Sequence, residues 1–158
     1  MRILTPSPKT AQQLEDEEWN HCGRSSSLAI ERGCVMEPFF YGWMPPRCVF
    51  PELSEQYPVF SNRKWYKHEN KTVELSEDDL WKGKHKFIYT EKYHGEHCLF
   101  QWRKLQYGMQ NRKDYLDNKT ISGHHANHCA DQISIACEAP GDVSKVELGF
   151  YRCRKTVW

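Results

Sequence analysis

Two copies of one short motif constrain this chain of 158 residues more than any other feature. The segments His94–Cys98 and His125–Cys129 both read H-x-x-H-C, and their first histidines are 31 positions apart. On a helix, residues three and four positions apart are neighbours, so each copy places two imidazoles and one thiol on a single helix face. We therefore expect two helices that face each other and bring four imidazoles and two sulfurs together.

The histidines of the two motifs are candidate metal ligands, because neutral imidazole binds copper, zinc, iron and nickel. They are His94, His97, His125 and His128. One ion could take all four nitrogens, or the two histidines of each helix could hold an ion of their own. A set rich in histidine is typical of metal sites with open positions, whereas structural zinc sites are usually closed and rich in cysteine.

The motif cysteines, Cys98 and Cys129, have two possible roles. They could be thiolate ligands of a redox-active copper ion, or they could form a disulfide that ties the two helices together. We favour the disulfide, because an oxidising compartment is indicated by seven cysteines and by two N-glycosylation sequons, at Asn70 and Asn118. The five other cysteines can form up to two bridges and leave one over, and they are Cys22, Cys34, Cys48, Cys137 and Cys153.

Three polar side chains beside the motifs are candidates for catalytic or supporting roles. Glu96 and Asp131 could orient an imidazole from behind or act as acid/base groups. Tyr93 directly precedes His94 and could line a substrate pocket, although a place in the core is the commoner role of such an aromatic. His124 lies about 100° around the predicted helix from His125 and is left over as a spare histidine.

Charge and hydropathy exclude several functional classes. The net charge is +1, so the chain lacks the basic surface of a nucleic-acid-binding protein. No apolar run approaches the roughly 20 residues that span a bilayer, and no segment is arranged like a signal peptide. An anchoring segment removed upstream of Met1 stays possible. We therefore expect a domain of the secretory lumen or the exterior, bound to a membrane only if such an anchor exists.

The periodicity predicts a mostly helical α+β fold, with short strands and disulfide bonds around the two motif helices. Residues 1–20 are predicted to be a flexible lead-in with a short helix, and residues 21–158 a single metal-binding domain. The predicted elements are a helix capped by Ser25 or Ser26, an ordered aromatic loop over 35–50, a strand over 86–90, helices over 91–107 and 123–136, a loop over 108–120 and a terminal strand within 143–153.

The order and spacing of the two motifs resemble the UstYa-like family of fungal oxidases, whose hallmark is a doubled H-x-x-H-C. His97-Cys98-Leu99 followed by Arg103 is similar to the family's H-C-L-x-x-x-R stretch. Cys129-Ala130-Asp131 and Cys137-Glu138-Ala139 are similar to its H-C-x-D and C-x-A elements. The resemblance is specific over residues 86–139 and looser over 20–60. The departures are Phe100, Trp102 and Pro140, which lie beside the motifs and bear on the substrate more than on the metal.

The resemblance implies a copper-dependent enzyme of fungal secondary metabolism, with one or two copper ions held by the motif histidines. Members of the family oxidise, cyclise or halogenate C–H positions of peptides or small molecules, and a single N-terminal helix typically holds them in secretory membranes. The site could lie within one chain or be shared by a homodimer. The alternative from another class is a secreted, non-enzymatic module whose histidines hold a structural zinc ion.

Overall fold

The computed structural model has the α+β fold predicted from the sequence, and it describes residue 10, residues 20–135 and residues 143–155. The helices of these residues are α1 (Ser26–Glu31), α2 (Pro51–Ser54), α3 (Glu77–Trp81), α4 (His94–Gln110) and α5 (Gly123–Ile135), with a 3-10 turn at Pro46–Cys48. The strands are β1 (Asn20–His21), β2 (Val35–Glu37), β3 (Gly42–Met44), β4 (Phe87–Glu91), β5 (Tyr115–Asp117), β6 (Val143–Glu147), β7 (Gly149–Phe150) and β8 (Arg152–Lys155). Within the described residues, no helix combines the length and apolar character needed to cross a bilayer.

The strands form three small sheets. Strand β8 lies between β1 and β5 and is antiparallel to both. Strand β3 is antiparallel to β2 and parallel to β7, and β4 and β6 form an antiparallel pair. The last strands of the chain thus pair with early ones, so residues from both ends of the described chain enclose the same core.

The two motif helices, α4 and α5, pack against each other as predicted, and the Cys98–Cys129 disulfide joins them. Helix α5 begins after Ser122, whose hydroxyl accepts a hydrogen bond from the His125 backbone N–H at 3.1 Å. Helix α4 begins at His94 rather than at the predicted residue 91. The reason is that Glu91 is the last residue of β4, paired with Val143, and Lys92 has a left-handed φ of 52° that a helix does not accept.

Two further disulfides confirm the expectation drawn from the cysteine count. Cys22–Cys34 links the two ends of α1, and Cys48–Cys153 joins the 3-10 turn to β8 across 105 positions of sequence. Cross-linking so long a loop stabilises the fold by about 4–5 kcal/mol in the chain-entropy estimate. Cys137 lies outside the described residues.

Several predicted elements are wrong or fall outside the description. The predicted loop over 35–50 contains the hairpin of β2 and β3, because its prolines lie at the turns rather than within the strands. The predicted loop over 108–120 contains β5, whose partner is the distant β8. Asn20, the last residue of the predicted lead-in, begins β1 with His21. Residues 1–9 and 11–19 of that lead-in, and Ala136 at the end of the predicted second motif helix, lie outside the described residues.

The core is aromatic, and it packs directly against the first motif. The Phe39 and Phe100 rings are stacked with their centroids 4.2 Å apart, and the Phe40 ring lies edge-on to the His97 imidazole at 5.2 Å. A fully buried ion pair between Lys104 and Asp117, 2.7 Å long, lies in the same layer. Helix α4 is therefore held by the core along the face that presents His97.

Candidate metal centre

The four motif histidines, called here the imidazole centre, form two facing pairs between α4 and α5. The ring centroids of His94 and His128 are 5.5 Å apart, and those of His97 and His125 are 5.4 Å apart. The His125 and His128 rings, both on α5, are 6.4 Å apart. The Cys98–Cys129 disulfide fixes the distance between the two helices and with it the spacing of each pair.

This spacing suits a shared metal ion. With metal–nitrogen bonds of about 2.1 Å, two imidazole centroids in tetrahedral coordination lie about 5.3 Å apart. The centroid separation of each pair therefore matches that of two imidazoles bound to one ion. As the rings are placed, no group of three or more His, Cys, Asp or Glu side chains within the described residues is gathered closely enough to hold an ion. The described residues thus show two pairs of facing imidazoles and no closed set of ligands.

His97 is the most firmly held member of the centre. It is buried, and its Nδ1 lies 2.9 Å from the Phe39 carbonyl oxygen, to which the Tyr93 hydroxyl also donates a hydrogen bond. The hydrogen-bond network assigns the proton to Nδ1, so Nε2 keeps the lone pair that a metal requires. Burial, reinforced by the charge of Lys119, lowers the pKa of His97 well below its usual value and keeps the imidazole neutral.

His125 carries an orphaned polar atom. Its Nδ1 is buried and makes no hydrogen bond of normal geometry, although the Lys119 backbone beside the ring raises its pKa in part; its Nε2 lies 3.7 Å from the sulfur of Cys129. Burial, with the charges of Lys119 and His128, lowers the pKa of His125 to about 4, so this imidazole is also neutral at physiological pH. A buried ring nitrogen without a hydrogen bond of normal geometry is costly, and in the tautomer that leaves its lone pair free a bound cation would satisfy it. The donor set of the centre therefore fits a metal ion that prefers imidazole.

The two remaining members of the centre are more accessible: His94 is partly buried and His128 is exposed. The motif cysteines follow the disulfide alternative, because their sulfurs are bonded to each other. A disulfide sulfur is not a thiolate, so in this structure Cys98 and Cys129 position the imidazoles and do not act as ligands.

The three supporting candidates lie in different surroundings. Tyr93 is buried and contacts the centre, with its hydroxyl 3.3 Å from His97 Nδ1, and burial raises the pKa of Tyr93 well above its usual value. Glu96 is exposed, pairs with Arg63 and lines an open cavity of about 270 Å³ on another face of α4. Asp131 is exposed on α5. The structure thus brings Tyr93 to the imidazoles and leaves Glu96 in an ion pair.

Sequence reasoning missed three groups around the motif helices, which are the Phe39 carbonyl, Gln101 and Lys119. The Phe39 carbonyl is a backbone atom, which no side-chain pattern identifies. Gln101 is one helical turn beyond His97, a spacing that could have singled it out; its amide donates to the carbonyls of Lys119 and Thr120. Lys119 precedes α5, and burial lowers its pKa to about 8, so its ammonium still carries most of its charge at neutral pH.

Comparison with known proteins finds fungal relatives whose names refer to a biosynthesis cluster. The chain is similar to Phomopsin biosynthesis cluster protein B′ and Phomopsin biosynthesis cluster protein B, both from Diaporthe leptostromiformis. Each is 29% identical over 119 residues, which cover 69% of this chain and 35% of the relative. The chain therefore spans about a third of the length of these curated relatives. No protein-family model and no solved structure matches the chain.

Proposed function

We propose that this chain is a UstYa-like, copper-dependent oxidase of fungal secondary-metabolite biosynthesis, acting on C–H bonds of a peptide or a small molecule. The observation that carries the proposal is the His97–His125 pair: two neutral imidazoles lie with their centroids 5.4 Å apart, and the His125 ring has a buried nitrogen that makes no hydrogen bond of normal geometry. The names of the two similar proteins support a role in a fungal biosynthetic cluster.

In this proposal, His94, His97, His125 and His128 hold the copper. When bound, copper supplies one-electron redox chemistry with dioxygen, which imidazole-rich sites with open positions support. The protein's own residues prepare the site. The Phe39 carbonyl and the Tyr93 hydroxyl keep the proton of His97 on Nδ1, and burial keeps His97 and His125 in the neutral form that can bind a metal.

The compartment forms part of the same proposal. The three disulfides fit a secreted or secretory-pathway protein, and membrane association through an N-terminal helix stays a prediction. Of the two sequons, Asn70 lies in an exposed turn. The Asn118 side chain accepts a hydrogen bond from the Arg152 N–H at 2.9 Å, and Thr120 is buried. Asn70 is therefore the more accessible glycan acceptor, and deglycosylation of secreted N70Q and N118Q variants tests this.

The deciding experiment is the metal content of protein purified without chelators and then offered equal amounts of Cu²⁺ and Zn²⁺. We expect one or two equivalents of copper by plasma mass spectrometry, and loss of copper in the His97→Ala/His128→Ala double variant. His124→Ala is the matched control, because His124 is exposed on the same helix as His128 and outside the centre. Circular dichroism confirms that each variant is folded before its metal content is compared.

Two outcomes would contradict the proposal. Stoichiometric zinc retained against available copper, with a thermal transition that collapses on chelation, would indicate the structural zinc module instead. Copper content unchanged in the double variant would show that the motif histidines are not the ligands. Once copper is established, the oxidase assignment requires dioxygen consumption that depends on copper and on a candidate peptide substrate.

A further inference from the structure

One lysine lies beside the imidazole centre in an unusual setting. Lys119 is partly buried in the turn between β5 and α5, and its ammonium lies 5.3 Å from the Phe40 ring centroid and 5.6 Å from that of Tyr151. The same Phe40 ring contacts the His97 imidazole. The ammonium and His97 therefore share an aromatic wall, and the charge of Lys119 lowers the pKa of both His97 and His125.

The charge of Lys119 has no direct counter-ion among the described residues, in contrast with its neighbour Lys104. Lys104 is as close to the Phe40 ring, at 5.3 Å, and forms the buried ion pair with Asp117. The Asp117 carboxylate accepts hydrogen bonds from the backbone N–H groups of Lys119 and Thr120 and from the Thr120 hydroxyl as well. The Asp117 carboxylate acts on the Lys119 ammonium through its charge, which raises the pKa of Lys119 against the effect of burial, but the ion pair that it forms is with Lys104.

With a divalent metal bound, the imidazole centre and its surroundings would carry an excess of positive charge. Neutral imidazoles do not offset the charge of a divalent ion, and the Lys119 ammonium adds another positive charge nearby. Positive charge that is partly withdrawn from water is costly unless an anion accompanies it. The arrangement therefore favours an anionic ligand at the open positions, held at once by the metal and by the lysine.

We propose that Lys119 is a specificity-determining residue that binds a carboxylate of the substrate beside the imidazole centre. This inference rests on the proposed copper function and adds a substrate class to it: a molecule with a carboxylate close to the C–H position that reacts. Lys119 positions that molecule by a charge-assisted hydrogen bond, while the aromatic rings of Phe40 and Tyr151 hold the lysine stem and ammonium in place.

The test uses copper-loaded protein and a simple anion as the probe. Azide binding is followed by its charge-transfer absorption with Cu²⁺, and acetate then competes with azide. We expect Lys119→Met to weaken acetate competition by about tenfold, as loss of one charge-assisted hydrogen bond implies. Lys119→Arg, which keeps the charge, should stay close to the wild type. Lys82→Met is the matched control, because it removes one charge from an exposed lysine on α3.

A second measurement needs no variant and so does not depend on how Lys119→Met folds. In the wild-type protein, acetate should displace azide, whereas neutral acetamide of the same shape should not. Equal competition by acetamide would overturn the role of Lys119. Unchanged acetate affinity in a folded Lys119→Met protein that binds copper would overturn it as well. Neither result would contradict the proposed copper function. Failure of every variant and of the wild type to bind copper would overturn the proposed function together with this inference.

Discussion

His97 in the first motif is buried and held from behind by the Phe39 carbonyl, whereas His128, at the same position of the second motif, is exposed on α5. The ring of His125, the first histidine of the second motif, has a buried Nδ1 that makes no hydrogen bond of normal geometry. Two copies of one pattern thus lie in unlike surroundings. The motif determines which groups meet, and the elements packed behind each copy determine how rigidly each group is held.

This difference divides the imidazole centre into a fixed half, which is the motif on α4 with His97, and an adjustable half, which is the motif on α5 with His128. Helix α4 packs against the aromatic core, so the orientation of His97 is set before any ligand arrives. Helix α5 presents His128 to solvent and is tied to α4 by the Cys98–Cys129 disulfide. Variants that treat the two motifs alike should therefore have unlike effects.

The largest expected effect is that of removing the disulfide between the halves. A Cys98→Ala/Cys129→Ala variant should lose roughly 3–4 kcal/mol of unfolding free energy in the chain-entropy estimate, together with most of its copper affinity. The control is Cys22→Ala/Cys34→Ala, which should lose roughly 3 kcal/mol in the same estimate and keep its copper affinity. Urea unfolding and copper titration measure both quantities. Similar losses of copper in the two variants would mean that the motif disulfide does not position the ligands.

The next largest effect is a difference in stability between variants of His97 and His128, which occupy the same position in the two motifs. His97→Ala should weaken copper binding and also lower the unfolding free energy by about 2–4 kcal/mol, because a buried, hydrogen-bonded ring is replaced by a cavity. His128→Ala should weaken copper binding with little change in stability, because its side chain is exposed. Equal losses of stability in the two variants would remove the distinction between a fixed half and an adjustable half.

The stability of the metal-free protein should depend on pH through the same imidazoles. The folded-state pKa of His97 lies well below the ordinary 6.5, and that of His125 is about 4. A lowered histidine pKa means that the folded state binds protons less readily than the unfolded state, so this contribution is full above pH 6.5 and is lost as the pH falls through the folded pKa values. Urea unfolding at several pH values should show this decline, and His97→Phe should reduce it. A decline of the same size in His97→Phe would assign it to other groups.

The smallest expected effect concerns the support behind His97. Tyr93→Phe removes the hydroxyl that donates to the Phe39 carbonyl and should cost about 1 kcal/mol of stability, with copper affinity lowered by up to tenfold. Glu96→Gln is the control, because Glu96 pairs with Arg63 on another face of α4, and its copper affinity should not change. A larger loss of copper affinity in Glu96→Gln than in Tyr93→Phe would mean that Glu96, and not Tyr93, supports the imidazole centre.

The sequence predicted those elements of the fold that depend on residues close together in the chain. Ser25 caps a helix that the sequence predicted, Ser122 stands directly before the predicted second motif helix, and the motif spacing placed Cys98 against Cys129. The hairpin of β2 and β3 was missed because each strand has only three residues and prolines flank them, a composition typical of a loop. Strand β5 was missed because its partner, β8, lies far along the chain. The Phe39 carbonyl was missed for a related reason: it reaches His97 from 58 positions away through a backbone atom.

The position of β8 has a consequence for how the protein must be made. This strand lies between β1 and β5 and carries Cys153, the partner of Cys48. Until the ribosome has released residues 152–155, two strands lack their neighbour and the long disulfide cannot close. Native structure of this kind depends on contacts between distant parts of the chain and forms slowly. Production of active protein should therefore depend on oxidative folding that follows the synthesis of residues 152–155, so a host with a disulfide isomerase should give a higher yield than one that supplies only an oxidant.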